Sequence, residues 1–261
     1  MVKHLVYLTA LCSIAMTLLC GGCLGQASRG TPGGSVIPKR FFFGGSQSVQ
    51  QCPSAWLIYL NRERDDGGLF VVANMEPFSR LELARDGGLR FEWLGFGKQR
   101  YRFTGTLKAG EITGQIEVVE PRADLPKDLC RIAATELPSQ ESSTTAESPA
   151  RYSNMAYSSE GGDLTGVDIR FFSTRQGTQG MITFYESYWF EPVNRPLMLS
   201  QVEVDKTRIR FAVETSAGVG HYHLVPTSTG TLFGRDDVAP EDRGADVLLE
   251  KTLDVLPRIT W

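Results

Sequence analysis

The chain has 261 residues, 41% hydrophobic and 22% charged, with a formal net charge of −3. That is an ordinary globular composition with enough length for a sizeable core. The mildly acidic balance leaves no global basic footprint and argues against nucleic acid as a partner. The 27 glycines and 13 prolines fit a turn-rich all-β chain.

In chain order, residues 1–22 read as a signal peptide. Lys3 supplies the positive n-region, and Leu5–Leu19 is apolar but shorter than the about 20 residues a membrane-spanning helix needs. Cys20-Gly21-Gly22-Cys23 follows. The two glycines before Cys23 resemble the lipobox of exported bacterial lipoproteins. The resemblance implies that Cys23 carries the lipid, becomes the mature N-terminus and anchors the chain to a bacterial membrane facing the periplasm or the cell surface. Gly25-Gln26-Ala27 offers the alternative, ordinary cleavage after Ala27 and a secreted soluble protein. Cys20-x-x-Cys23 is formally a redox spacing, but it lies in the leader.

Residues 23–50 are assigned to the anchor and tether. Ser28–Pro38 is rich in Gly, Ser and Pro without an apolar period. Phe41-Phe42-Phe43-Gly44-Gly45 reads as a short strand or a plug, and three neighbouring phenylalanines predict at least partial burial.

The first β unit is placed at 51–136. Its predicted strands are Trp56–Asn61, Leu69–Asn74, Arg80–Ala84, Leu89–Leu94 and the hairpin Tyr101–Val119, six strands in meander order. The hairpin alternates cleanly, with Tyr101, Phe103, Gly105 and Leu107 on one face and Ile112, Gly114, Ile116 and Val118 on one face of its partner. Gly110 stands where the turn needs positive φ. Cys52 precedes the first of these strands and Cys130 follows the last. Two cysteines in an exported chain suggest one disulfide. A short helix is placed around Lys127–Glu136. Residues 137–160 form a linker, centred on the Ser/Thr/Glu/Pro-rich Pro138–Pro149.

The second β unit, 161–261, looks like a faint copy of the first. Arg210-Phe211 matches Arg90-Phe91 at an offset of 120, Tyr222 matches Tyr101 at 121, and Glu191-Pro192 matches Glu76-Pro77 at 115. A nearly constant offset supports an internal duplication. Near the C-terminus, Leu248, Leu249, Leu253 and Leu256 are spaced for one face of a helix, with a closing strand as the alternative.

No metalloprotease, phosphate-loop or nucleophile-elbow motif is present, so the chain reads as a non-enzyme without a cofactor. His221 and His223, two apart on one strand face, are the only metal-ligand pattern. With no third ligand identifiable, both are expected on a solvated face. Aromatic residues are more suggestive. Trp93, Tyr101, Phe184, Tyr188, Trp189 and Tyr222 are the candidate lining of a ligand pocket, with an ordinary core as the competing reading.

The strand pattern and repeated hairpins resemble the meander barrels of lipocalins and avidins. The resemblance implies an all-β fold of antiparallel meander barrels, built from two tandem repeats, that binds ligands at a barrel mouth. The expectation is a membrane-anchored binding protein for a small apolar or amphipathic molecule. The alternative is an envelope scaffold that contacts a protein partner.

Overall fold

The computed structural model describes residues 40–47, 52–71, 74–95, 99–120, 128–138, 150–157, 164–185, 195–215, 217–238, 246–253 and 255–256. The signal peptide, Cys23, the Ser28–Pro38 tether, the linker over 139–149, Glu191-Pro192, Tyr188 and Trp189 lie outside the described residues.

The period-two pattern is realised as two curled antiparallel sheets, and the described residues contain no helix. The first sheet comprises β1 (Arg40–Ser46), β2 (Ala55–Asn61), β3 (Asp66–Val71), β4 (Asn74–Pro77), β5 (Arg80–Leu83), β6 (Gly88–Leu94), β7 (Arg100–Lys108), β8 (Glu111–Val118) and β9 (Asp128–Glu136). Their spatial order is β4-β3-β2-β1-β9-β8-β7-β6-β5. The two edge strands, β4 and β5, are consecutive in the chain. Phe78 and Ser79 tie them together, donating backbone hydrogen bonds to Gly67 and Glu92 at 2.9 and 2.8 Å.

The second sheet comprises β10 (Arg151–Ser153), β11 (Ala156–Tyr157), β12 (Leu164–Thr174), β13 (Gly177–Tyr185), β14 (Leu197–Val204), β15 (Ile209–Thr215), β16 (Gly218–Pro226), β17 (Thr231–Arg235) and β18 (Val247–Thr252). β10 pairs with both β18 and β12, closing an eight-stranded barrel, and β11 extends β12. Each sheet therefore holds nine strands where the sequence pattern counts six in the first unit.

Two expected helices are strands. In the stretch expected as Lys127–Glu136, the described residues Asp128–Glu136 form β9, because Cys130, Ile132 and Ala134 alternate into the core while Arg131 and Ala133 point out. In the C-terminal stretch, Leu249 is buried and its neighbour Leu248 is exposed, the two-residue period of a closing strand. The Phe41–Phe43 stretch is a strand, and all three rings are buried.

Three apolar clusters organise the body. One fills the first sheet around Phe42, Ile58, Phe91, Phe103, Ile112 and Ile116. A second fills the closed barrel around Ile169, Ile182, Tyr222, Leu224, Phe233 and Leu249. The third is a seam where the two sheets meet back to back. Phe41, Phe43, Leu57, Tyr59 and Phe70 come from the first sheet, and Phe172 and Met181 from the second. The Phe43 and Phe172 rings lie 4.4 Å apart at the seam. β1 and β2 thus bury both faces, which explains their continuous apolar runs FFF and AWLIYL. Polar bonds pin the seam as well, Met198 N donating to Ser54 Oγ at 2.8 Å and Ala55 N to Pro196 O at 3.3 Å.

Cys52 and Cys130 are bridged and buried. The bridge closes a loop with a sequence separation of 78. Replacing both cysteines with serine is expected to lower stability by up to about 4–5 kcal/mol, through the extra freedom of the unfolded chain. The shift in urea midpoint measures it, and an unchanged midpoint would show that the unfolded chain gains nothing from release.

Candidate functional site

The aromatic residues expected to line one pocket lie in two separate interiors. Trp93 and Tyr101 stack at 5.3 Å in the first sheet, with Trp56 set edge-on to Trp93 at 6.2 Å. Phe184 and Tyr222 lie 6.0 Å apart in the closed barrel, where Tyr222 also stacks on Phe233 at 5.5 Å. Among the described residues, the centre of each interior is closely packed. Phe91, Phe103 and Ile112 in one, and Tyr222, Leu224 and Phe233 in the other, are each 0% exposed. A void wide enough for water beside these side chains would give them accessible surface. Trp56, which the sequence pattern does not single out, buries its indole Nε1 without a hydrogen-bond partner.

Strand register corrects the alignment of the two halves. Phe91 pairs with Phe103 across β6 and β7, and Phe211 pairs with Tyr222 across β15 and β16. The register counterpart of Tyr222 is therefore Phe103, not Tyr101. The histidines also part company. His221 is exposed as expected, but His223 is 4% exposed, contrary to the expected solvated face. Opposite Gly234, its ring is enclosed by two carboxylates. Nδ1 lies 2.8 Å from Asp236 Oδ1, and Nε2 lies 3.9 Å from Asp246 Oδ2. Arg208 shares Asp236 at 2.5 Å. Glycine's lack of a side chain on the neighbouring strand is what makes room for the ring. Among the described residues no group of three or more His, Cys, Asp and Glu is arranged to hold a metal ion.

The most deeply buried charges sit at the seam. On β12, Val167, Ile169 and Phe171 point into the barrel, so Asp168, Arg170 and Phe172 point at the first sheet. Asp168 accepts from Arg151 Nε at 2.5 Å and from Arg170 Nε at 2.7 Å. Arg170 Nη1 donates to the Val255 carbonyl at 2.6 Å, and its guanidinium lies 4.7 Å over the Phe70 ring. Asp168 and Arg170 are each 2% exposed. Tyr185, on the same face of the adjacent strand, is fully buried; burial first, and the Asp168 charge second, raise its hydroxyl far above the usual tyrosine range. The cluster ties together the closed barrel, Phe70 of the first sheet and the segment at Val255.

The outer face of the first sheet divides into a paired and an unpaired territory. One row of cross-strand neighbours, Arg80, Glu92, Arg102 and Glu117, alternates in charge. Arg102 Nε reaches Glu92 at 2.8 Å and Nη1 reaches Glu117 at 2.9 Å. The hydrogen bond from Arg102 holds the Glu92 carboxyl below the usual range. The next rows are different. One runs Glu82, Arg90, Thr104, Gln115 and Arg131, with Arg90 ion-paired to Glu92 at 3.5 Å, and the other runs Gly88, Thr106, Thr113, Ala133 and Gly45. Small residues beside longer ones leave a trough of about 560 Å³, open to solvent and also bordered by Gln47. A second groove of about 590 Å³ follows along β8 and β9, where Glu111 and Thr135 face Arg175, Gln176 and Gln179 of the other half.

In comparison with known proteins, the chain matches no family model, no curated protein and no solved structure.

Proposed function

We propose that the chain is an exported bacterial lipoprotein, held to the membrane through Cys23, that works without catalysis by binding an envelope partner at its outer surface. The observation that carries this reading is the close packing at the centre of both interiors, where Phe91, Phe103 and Ile112 in one and Tyr222, Leu224 and Phe233 in the other are each 0% exposed. A ligand inside either one would have to displace buried aromatic rings from close packing. The shared apolar seam adds support, since it joins two nine-stranded sheets in one packed unit.

The test is photocrosslinking in intact cells. A crosslinking amino acid is placed at Val204 or Val219, which are 58% and 52% exposed. The expected outcome is a discrete protein adduct in the membrane fraction, lost together with membrane attachment in Cys23→Ser. Absence of an adduct, with a small apolar molecule co-purifying in native mass spectrometry, would overturn the reading.

A second reading, a binding protein for a small amphipathic molecule, is favoured by Trp56. A buried indole N–H without an acceptor costs about 1–3 kcal/mol. A ligand with an apolar body and one acceptor atom, seated by Trp56, Trp93 and Tyr101, would satisfy it. Native mass spectrometry distinguishes this reading from the first.

A further inference from the structure

We infer that the trough on the outer face of β7, β8 and β9 is a binding site for a short acidic oligosaccharide. The inference goes beyond the protein-partner reading and rests on different residues.

The first support is hydrogen-bonding capacity left to solvent at a concave surface. Among the described residues, the side chains of Gln47, Thr104, Gln115 and Arg131 have no hydrogen-bond or ion-pair partner, although all four line the trough. The adjoining row is engaged, with Glu92 and Glu117 both held by Arg102. Within the trough, Thr106 and Thr113 bond each other at 3.3 Å through hydroxyls that still have acceptor capacity.

The second support is the chemistry of the lining. Hydroxyls and amides both donate and accept, which matches the mixed donor and acceptor character of sugar hydroxyls. No carboxylate lines the trough, and Arg131 is its only charged residue. A guanidinium recognises a planar carboxylate by paired N–H bonds. The chain's net charge of −3 opposes the long-range attraction of a dense polyanion, so sparse acidity suits the site better than a phosphate-rich polymer.

The third support is shape. A volume of about 560 Å³ falls within the roughly 300–1,000 Å³ of small-molecule sites. The depression lies on a sheet face, away from the edge strands β4 and β5. An extended peptide would gain its main-chain bonds at an edge, so a face lined by side chains favours a ligand recognised through its hydroxyls.

The test uses the exported full-length protein in a sugar-free zwitterionic detergent. Tetragalacturonate, cellotetraose and inorganic phosphate are titrated by calorimetry, and backbone amide shifts locate the binding. Saturable tetragalacturonate binding that moves the amides of Thr104, Gln115 and Arg131 is expected. Arg131→Gln should weaken it about tenfold, the worth of one charge-assisted hydrogen bond. Thr113→Trp, which fills the trough from an exposed position, should abolish it. Cellotetraose should bind more weakly than the acidic sugar. Saturation by neither sugar, binding indifferent to both substitutions, or equal competition by phosphate would each overturn the inference. None of these outcomes alters the crosslinking from Val204 and Val219, so the two proposals fail separately.

Discussion

Replacing Asp168 with alanine is expected to cost about 3–5 kcal/mol, the range for breaking a buried ion pair from one side. The carboxylate is shared by Arg151 and Arg170, and Arg170 is almost completely enclosed. Among the described residues, removing Asp168 leaves the Arg170 charge at the seam with the Val255 carbonyl and the face of Phe70. That charge cannot escape by deprotonating, since a guanidinium stays protonated at any ordinary pH. The double variant Asp168→Ala with Arg170→Met removes the stranded charge and fills its volume. It should therefore recover a large part of the loss, because contacting residues couple strongly in such cycles. Urea midpoints of the three proteins decide the matter. If the single variant loses less than about 1 kcal/mol, the cluster is solvated and does not hold the seam.

The second large effect is expected from Gly44→Ala. A Cβ at Gly44 would stand 1.9 Å from the Ala133 carbonyl oxygen and 2.4 Å from Ala134 Cα. Both are backbone atoms of β9, which pairs with β1 through Gly44 and Ala134. A flexible side chain cannot relieve such a clash, so one strand must move. The expected cost is about 3 kcal/mol or more, at the top of the range for overpacking. Gly45→Ala is the control. Its neighbours would be the terminal methyl of Met198 at 3.1 Å, the free end of a flexible side chain, and the Ser54 carbonyl oxygen at 3.2 Å, both far less close than the Gly44 contacts. A drop in melting temperature several times larger for Gly44→Ala than for Gly45→Ala is the expected result. Equal drops would mean that β1 and β9 adjust freely to the added methyl.

The meander of β6, β7 and β8 was legible because each strand has one apolar face and one polar face. Leu89, Phe91 and Trp93 alternate with Arg90 and Glu92, and the spacing needs no knowledge of the rest of the molecule. The turn at Ala109 and Gly110, with φ of 51° and 80°, follows from the glycine in the same way. β9 and β18 were harder. Leu248 and Leu249 stand side by side, which suits a helix face as well as a strand with one leucine turned outward. The seam was not legible. Asp168 and Arg170 alternate with apolar neighbours and so look like a solvent face, but the sheet that covers them, with Phe70 against Arg170, lies far earlier in the chain, and the Ser54–Met198 contact at the same seam spans a separation of 144. His223 was misplaced for a similar reason, since its cover comes from Asp236 and Asp246 on neighbouring segments. The trough gave no sequence signal at all. Threonine and glutamine on a strand face read the same whether the face is flat or hollow.

The double-sided burial of β1 and β2 also sets an order of events. Their inner face can pack as soon as the first sheet forms, but the outer face of Phe41, Phe43, Leu57 and Tyr59 waits for Phe172 and Met181. Arg170 waits longer still, for a carbonyl 85 residues further on. Closing contacts of such separation is slow, because chain entropy is lost before the contact repays it. During that interval the early half of the chain presents a sticky aromatic sheet face, the kind of surface on which folding intermediates associate. A chain made in sequence lives through that interval each time it folds, with β1 and β2 exposed on one face until β12 and β13 arrive.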